Sequence, residues 1–364
     1  MSLRTSFSEK LGLRLPLIAA PMAGGPTTPE LVAACSAAGA LGSFGFAYTQ
    51  PEEIKKQAAA VRAKTNRAFG INLFAAPQPT AIAPGAQRAA LEALAPYYKE
   101  LDLPKPEPAR APYAPDFEAQ LAAVEQIKPR VFTVHLDSLS REKTERFKKL
   151  GVLVGGSATC VAEAKGLEAL GFDFVIAQGG EAGGHRGTYL RDPREALTGT
   201  LALTRIVLRA IKLPVVAAGG IMDGNGIAAV LALGAQAAQL GTAFIACPES
   251  GAAQAHKDAL LKATEDETRL TEKFSGKPAR GLANRFLREA EAKHFPQLAF
   301  PAQNQLTTKL RAASAKAGKP DFLAMWAGQA APLARALPAA ELVARLEAET
   351  IEAIRNLKGL IHEP

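Results

Sequence analysis

The chain has 364 residues, 48% hydrophobic and 21% charged, which excludes a disordered chain and fits one large domain or a barrel with a lid. Lysines and arginines exceed aspartates and glutamates by 43 − 35 = 8, yet basic and acidic residues interleave, as in RFLREAEAK at 285–293. With no recognition motif beside them, solvated helix faces account for the charge and nucleic-acid binding is not expected.

The opening residues, MSLRTSFSEKLGL, show no apolar stretch followed by a small-residue cleavage site, so no signal peptide is expected. Short apolar runs rich in β-branched residues then recur at 17–20, 41–44, 69–73, 131–135, 152–155, 174–177, 215–218 and 238–240. Alanine-rich amphipathic segments alternate with them at 29–38, 51–63, 119–126, 140–150, 161–170, 194–211 and 226–233. Continuous apolar runs are what parallel strands buried on both faces require. Eight such units predict an α/β fold, a (β/α)8 TIM barrel, with a doubly wound sheet as the structural alternative. The least polar run, 227–247, carries Gly234, Gln236, Gln239 and Gly241 and reads as helix, turn and buried strand, not as a membrane span.

Two stretches break the alternation. Residues 75–115 hold nine prolines, from Pro77, Pro79 and Pro84 through Pro96 to Pro115, and read as an ordered excursion over the barrel mouth or a mobile loop. Residues 264–337 follow the last strand with polar helical segments and Trp326, and read as an appended helical lid or substrate domain. The barrel is then 1–263 with 338–364, the final helix packing back on it. Cys35, Cys160 and Cys247 are odd in number and far apart, which supports neither a disulfide framework nor a metal site and suits a cytoplasmic setting.

The densest chemical signal is QGGEAGGHRG at 178–187, a glycine-rich loop holding His185 directly after an apolar strand. Glycine lets backbone approach a ligand closely, and histidine is the side chain whose ordinary pKa lies near neutrality. Loops after barrel strands are where such enzymes present chemistry. Downstream, VVAAGGI at 215–221 and QLGTAF at 239–244 each end a buried strand in glycine, in the seventh and eighth units. Gly219, Gly220, Gly241 and Thr242 are therefore the expected phosphate grip. No GxGxxG follows a first strand, which argues against a Rossmann dinucleotide site. Met22, after the corner Ala20–Pro21, can pack under a flat ring, and the amides of Asn72 and Gln178 can read a heterocycle edge. Together these features describe a flavin mononucleotide pocket.

The set PMAGGPTTP, GINL, QGGEAGGHRG, AAGGI and QLGTAFI, with FSGKPARG and WAGQ further on, resembles the class I nitronate monooxygenases over nearly the whole chain. The resemblance implies a TIM barrel with non-covalent FMN and a helical substrate domain above it. Its implied flavin contacts are Ala20, Pro21, Met22, Asn72, Gln178, Gly183, Gly219, Gly220, Gln239, Leu240, Gly241 and Thr242. His185 matches the active-site histidine and His135 a second pocket histidine, in an unusual VHLDSL setting whose plainer reading is a hydrogen-bonded strand-end residue. Phe300 stands where the family often has a tyrosine, and all five tyrosines here lie earlier in the chain.

The implied reaction turns an alkyl nitronate and O2 into a carbonyl compound and nitrite by one-electron transfer to the flavin. His185 serves there either protonated, holding the nitronate, or neutral, as a base on a nitroalkane carbon. An FMN-dependent NADH:quinone or enoyl-thioester reductase on the same barrel is the alternative. A non-catalytic flavin-binding protein is a third, which an intact His185 disfavours. The partners expected are a small-molecule nitronate and O2, with no nucleic acid and no membrane; assembly into a homo-oligomer is left open.

Overall fold

The computed structural model describes residues 3–77 and 81–360; Pro79 and the chain ends 1–2 and 361–364, parts of the stretches read above, lie outside the described residues. Six parallel strands follow one another: β1 (Leu17–Ala19), β2 (Leu41–Gly45), β3 (Phe69–Phe74), β4 (Val131–His135), β5 (Leu153–Ala158) and β6 (Phe174–Gln178). A two-residue strand, β7 (Gly184–His185), stands apart before β8 (Val215–Ala218) and β9 (Ala237–Leu240) complete the set. β9 pairs back onto β1, with Leu17 beside Ala238 and Ala19 beside Leu240, and closes the expected (β/α)8 barrel.

Side chains alternate across the strands, so one set fills the barrel and the other meets the helices. Ile18, Leu41, Val131, Leu153, Phe174, Ile176 and Val216 form the interior. The N-terminal helix Ser6–Leu11 plugs its lower end, with the Phe7 ring 5.0 Å from that of Phe174. The outward set packs on the surrounding helices, several started by a hydroxyl or carboxylate that caps the first turn: Thr28 accepts from Leu31 N–H, and Asp223 from Gly226 N–H. The last helix, Ala339–Lys358, returns to pack on Gly224–Ala232 and Pro29–Ala37.

The structure departs from the sequence expectation in three ways. First, the layer above the mouth opens with strands, β10 (Thr268–Thr271) and β11 (Ala279–Leu282), which build a three-stranded sheet with β7. Second, the proline-rich excursion contains a helix, Pro84–Glu100, with Pro84 in the first turn, where its missing N–H costs nothing. That helix shares a core with Phe274, Phe286, Leu306, Leu310 and Phe322, and Tyr98 Oη donates to the Leu306 carbonyl at 2.6 Å. The cover over the barrel thus draws on two separated stretches. Third, the helix expected at 194–211 begins only at Thr200, because the Glu181 carboxylate caps it there, accepting from Thr200 N–H at 2.9 Å. Among the described residues no helix is long and apolar enough to cross a membrane, and no His, Cys, Asp and Glu cluster could hold a metal.

Candidate active site

The carboxyl ends of the strands and the layer above enclose a cavity of about 460 Å3, inside the range of roughly 300–1,000 Å3 typical of small-molecule sites. Ala20, Pro21, Met22, Asn72, His135, Gln178, Gly183, His185, Gly219, Gly220, Gln239, Gly241 and Thr242 all line it. Leu240 does not. Strand alternation turns Gln239 to the mouth and Leu240 outward, into the core between barrel and helices, where only its carbonyl serves the site by accepting from Ala20 N–H at 2.8 Å. Phe300, expected in the substrate pocket, does not line it either; it packs behind the lining residues, its ring 5.6 Å from that of His185 and 6.4 Å from that of Tyr48.

One end of the cavity is backbone. Register sets Gln178, Ala218 and Gln239 side by side, so that Gly219 and Gly220 leave β8 between the two glutamines. Gly219 at φ +120° and Gly220 at φ +68° turn the chain through conformations that L side chains rarely adopt, and a Cβ on Gly219 would stand 2.7 Å from Thr200 Oγ1. The N–H groups of Gly220 and Ile221 donate to no acceptor among the described residues. Thr242 Oγ1 accepts from Gly328 N–H at 2.9 Å, which ties the WAGQ stretch to this end.

The glycine-rich loop is held from several sides. Arg186, wholly buried, donates to the carbonyls of Gly179 (2.7 Å), Gln178 (3.0 Å) and Ala196 (2.9 Å). Gly183 presses so close to the WAGQ stretch that a Cβ would fall 2.6 Å from the Ala327 carbonyl carbon. β7 pairs antiparallel with β11, His185 beside Ala279. The Gln178 amide holds the loop: Nε2 donates to the His185 carbonyl at 3.0 Å and Oε1 accepts from Gly187 N–H at 2.7 Å. The side chain also lines the cavity, with its second Nε2 hydrogen unpartnered among the described residues, so the contact to a ligand expected from the sequence stays open to it. Asn72 donates through Nδ2 to Thr133 Oγ1 at 2.8 Å and keeps Oδ1 free, and the Gln239 amide has no partner among the described residues.

His135 and His185 have distinct tasks. His135 Nε2 lies 3.1 Å from the His185 carbonyl, an acceptor only, so that nitrogen carries the proton. Nδ1 then accepts from Ser157 Oγ at 2.8 Å. Both nitrogens are occupied, and the ring props up the backbone of His185. His185 Nε2 meets Ser275 Oγ at 2.9 Å, and that hydroxyl donates to the Lys277 carbonyl at 3.1 Å. In this arrangement Nε2 is the protonated nitrogen and Nδ1 keeps a lone pair free. Burial lowers the pKa of His185 to about 3, helped by the neighbouring His135, Lys277 and Arg311, and burial lowers that of His135 to about 4. Both rings are neutral at pH 7.

Of the opposite wall, the sequence singled out Phe300 and Trp326 but not the residues that join them. Phe74, Phe300 and Trp326 surround His185 with ring centroids at 5.5, 5.6 and 5.6 Å. Helix Ala302–Lys316 turns Asn304, Thr308 and Arg311 to the cavity, and Tyr48 enters from the loop after β2. Tyr48 Oη and His256 Nε2 are buried without a hydrogen-bond partner. Ser275 had a visible signal, since it belongs to FSGKPARG; Tyr48, Arg311 and His256 had none.

Comparison with known proteins agrees with this geometry. The chain matches the nitronate monooxygenase family over residues 5–349. It is 41% identical to a nitronate monooxygenase of Paraburkholderia phytofirmans over 351 residues, covering 96% of this chain and 95% of the relative. A nitronate monooxygenase of Pseudomonas aeruginosa is likewise 41% identical over 346 residues, with 94% and 98% covered. Among solved structures, nitroalkane oxidase from Streptomyces ansochromogenes superposes with a TM-score of 0.89 at 42% identity, covering 96% of this chain and 99% of that one. FabK from Thermotoga maritima follows with a TM-score of 0.78 at 28% identity, with 99% and 100% covered. The chain belongs to the nitronate monooxygenase family of oxidoreductases.

Proposed function

We propose that this protein binds FMN and uses it to oxidise alkyl nitronates with O2 to carbonyl compounds and nitrite. The observation that carries the reading is His185, a neutral, rigidly held imidazole with one free nitrogen, set in an aromatic wall within the same cavity as a glycine turn with unpaired N–H groups. The residues fit a flavin mononucleotide. Gly219, Gly220, Ile221, Gly241 and Thr242 offer backbone donors to a single phosphate, a group that such turns hold without a cationic side chain. Met22, Asn72 and Gln239 remain for the ring system, Met22 as a polarisable support and the amides as partners for its polar edge. His256 Nε2, buried and unpartnered on the cavity wall, fits a site whose polar groups are satisfied by an occupant.

When bound, FMN supplies the redox chemistry between nitronate and O2. The chain supplies position and proton control. With Nε2–H given to Ser275, His185 presents its Nδ1 lone pair to the cavity as a hydrogen-bond acceptor. In the other neutral tautomer the Ser275 hydroxyl would donate to Nε2, and Nδ1–H would be the donor offered to a nitronate oxygen. Phe74, Phe300 and Trp326 keep bulk water from the reacting carbon and strengthen each polar contact inside. His135 and Gln178 act on this histidine through its backbone carbonyl, and are positioning residues.

The test is anaerobic mixing of the purified yellow protein with a nitronate, and separately with NADH, followed by admission of O2. Flavin bleaching by the nitronate, nitrite release on oxygenation, and FMN but not FAD freed on denaturation are the expected results. Rapid bleaching by NADH with no nitrite from any nitronate overturns the reading in favour of a reductase. A colourless protein that takes up no FMN overturns it altogether.

A further inference from the structure

We infer that Arg311, seconded by the Tyr48 hydroxyl, is the residue that holds the negative charge of the substrate, and so sets preference for anionic nitronates over neutral nitroalkanes. The inference rests on the nitronate reading above. Helix Ala302–Lys316 lines the cavity with Asn304, Thr308, Arg311, Ala312 and Ala315, a run of positions on one helical face. Arg311 is the cation of that face. Its Nη2 donates to the Asn304 carbonyl (3.2 Å), Asn304 Oδ1 (2.7 Å) and Thr308 Oγ1 (3.0 Å), and its Nε to the Thr307 carbonyl at 3.4 Å. Every one of these acceptors is neutral, and among the described residues no carboxylate pairs with the guanidinium. Nη1 has no partner there either.

A cation taken out of bulk water without a counterion is unfavourable, and an anionic ligand relieves it. The nearest ionisable neighbours, Tyr48 and Tyr98, add no negative charge, because burial raises both phenols and keeps them protonated. Tyr48 brings the second, independent observation: its Oη is buried and has no partner. A protonated phenol completes its donor role on an acceptor, and since Tyr48 and Arg311 line the same cavity, an anionic oxygen bound there would serve both. The aromatic wall joins this pair to the chemistry. The Phe300 ring bridges Tyr48, at 6.4 Å, and His185, at 5.6 Å. His185 itself is neutral, so it offers no fixed charge to an anion; Arg311 does. The other end of the cavity, where a phosphate is expected, is built from backbone and needs no arginine.

The experiment uses flavin-loaded protein, wild type against Arg311→Met and Arg311→Lys. Inorganic nitrate, a planar and redox-inert oxyanion, serves as the probe in calorimetric titration. Losing a hydrogen bond to a charged group should weaken nitrate binding in Arg311→Met by roughly 10- to 150-fold. The KM for a nitronate should rise by a similar factor with a smaller change in kcat, kcat/KM for the neutral nitroalkane should hold, and Arg311→Lys should recover part of the loss. Unchanged nitrate affinity and unchanged nitronate KM in Arg311→Met overturn the assignment. Equal losses on nitronate and neutral nitroalkane, with a shifted flavin reduction potential, overturn it as well and move Arg311 to the flavin. If the wild type makes no nitrite from nitronates while nitrate binding still depends on Arg311, the anion seat stands and the proposed reaction falls. If nitrite forms and Arg311→Met changes nothing, the reaction stands and the seat falls.

Discussion

The two ends of the cavity are built by different means. The end at β8 and β9 is made of backbone: Gly219, Gly220 and Gly241 clear the space, and the N–H groups of Gly220 and Ile221 have no acceptor among the described residues. The end beneath the covering layer is made of side chains drawn from four distant places: Tyr48 after β2, Phe74 on β3, His185 on β7, and Arg311 on helix Ala302–Lys316. Among the residues that line the first end, Gly219, Gly220, Ile221, Gly241 and Thr242, none carries an ionisable side chain. The second holds the neutral His135 and His185 and a guanidinium without a carboxylate partner among the described residues. Fixed backbone donors suit a cofactor that stays; adjustable protons and one fixed charge suit a substrate that comes and goes.

The largest effect expected from this contrast is on stability in acid. Unfolded, His135, His185 and His256 take up protons near pH 6.5. Folded, burial holds His135 and His256 at about 4 and His185 at about 3. The folded values are depressed, so the unfolded chain binds more protons below pH 6.5, and stability falls as pH drops toward 4. The slope is about 1.4 kcal/mol per pH unit for each histidine. Urea unfolding of flavin-free protein at pH 7 and pH 5 checks this, and His256→Leu should remove one histidine's share of the slope. Equal stability at the two pH values would mean the rings are hydrated.

That contrast also explains what could be read in advance. Strands declared themselves as apolar runs, and the backbone end declared itself because only glycine tolerates φ +120°, so a pair of glycines after a strand is a local signal. His185 was legible for the same reason, through the glycines around it. The pairing of β7 with β11 was not, because two residues carry no period. Nor was helix Pro84–Glu100, whose flanking and internal prolines imitate a loop. Arg311 looked like one more solvated charge on a polar helix, and only the closing of that helix over the barrel shows which face it occupies. The Gln178 amide was legible as a mouth residue, but its use on the His185 carbonyl depends on a loop conformation that no local pattern encodes.

At the backbone end, Gly220→Asp should strip the protein of FMN while Gly220→Asn retains much more of it. Gly220 lies at φ +68°, a region that Asn and Asp both tolerate, and an added Cβ meets the Glu181 side chain at 3.2 Å in either case. The pair therefore isolates charge, and a carboxylate beside the proposed phosphate should cost more than the amide. Flavin-to-protein ratios decide it: if both variants hold FMN equally, the phosphate lies elsewhere. At the other end, His185→Ala should keep its flavin and lose roughly 10- to 150-fold in kcat/KM, the worth of a hydrogen bond to a charged partner. His135→Ala should lose less, since His135 acts only through the His185 carbonyl at 3.1 Å. A reversed ranking would make His135 the residue in contact with substrate.

The smallest effect, and the one that most sharpens the comparison, is expected from Tyr48→Phe. The Tyr48 hydroxyl is buried and unpartnered, and such a group costs about 1–3 kcal/mol in desolvation. Phenylalanine keeps the ring, with its neighbours Phe74 at 6.0 Å and Phe300 at 6.4 Å, and removes only the oxygen. The ligand-free protein should therefore become more stable, by about 1 kcal/mol after the lost volume is counted. With an anionic substrate the sign should reverse, because the hydroxyl then donates to a charged oxygen beside Arg311. The nitronate KM should rise by roughly tenfold, the low end of the worth of a hydrogen bond to a charged group, and by less than in Arg311→Met. Opposite signs in the two measurements would mark a group held in an unfavourable state for binding, a pattern no residue of the backbone end should reproduce. A variant that is less stable without ligand would mean that the hydroxyl already has a partner within the fold, and Arg311 would then hold the anion alone.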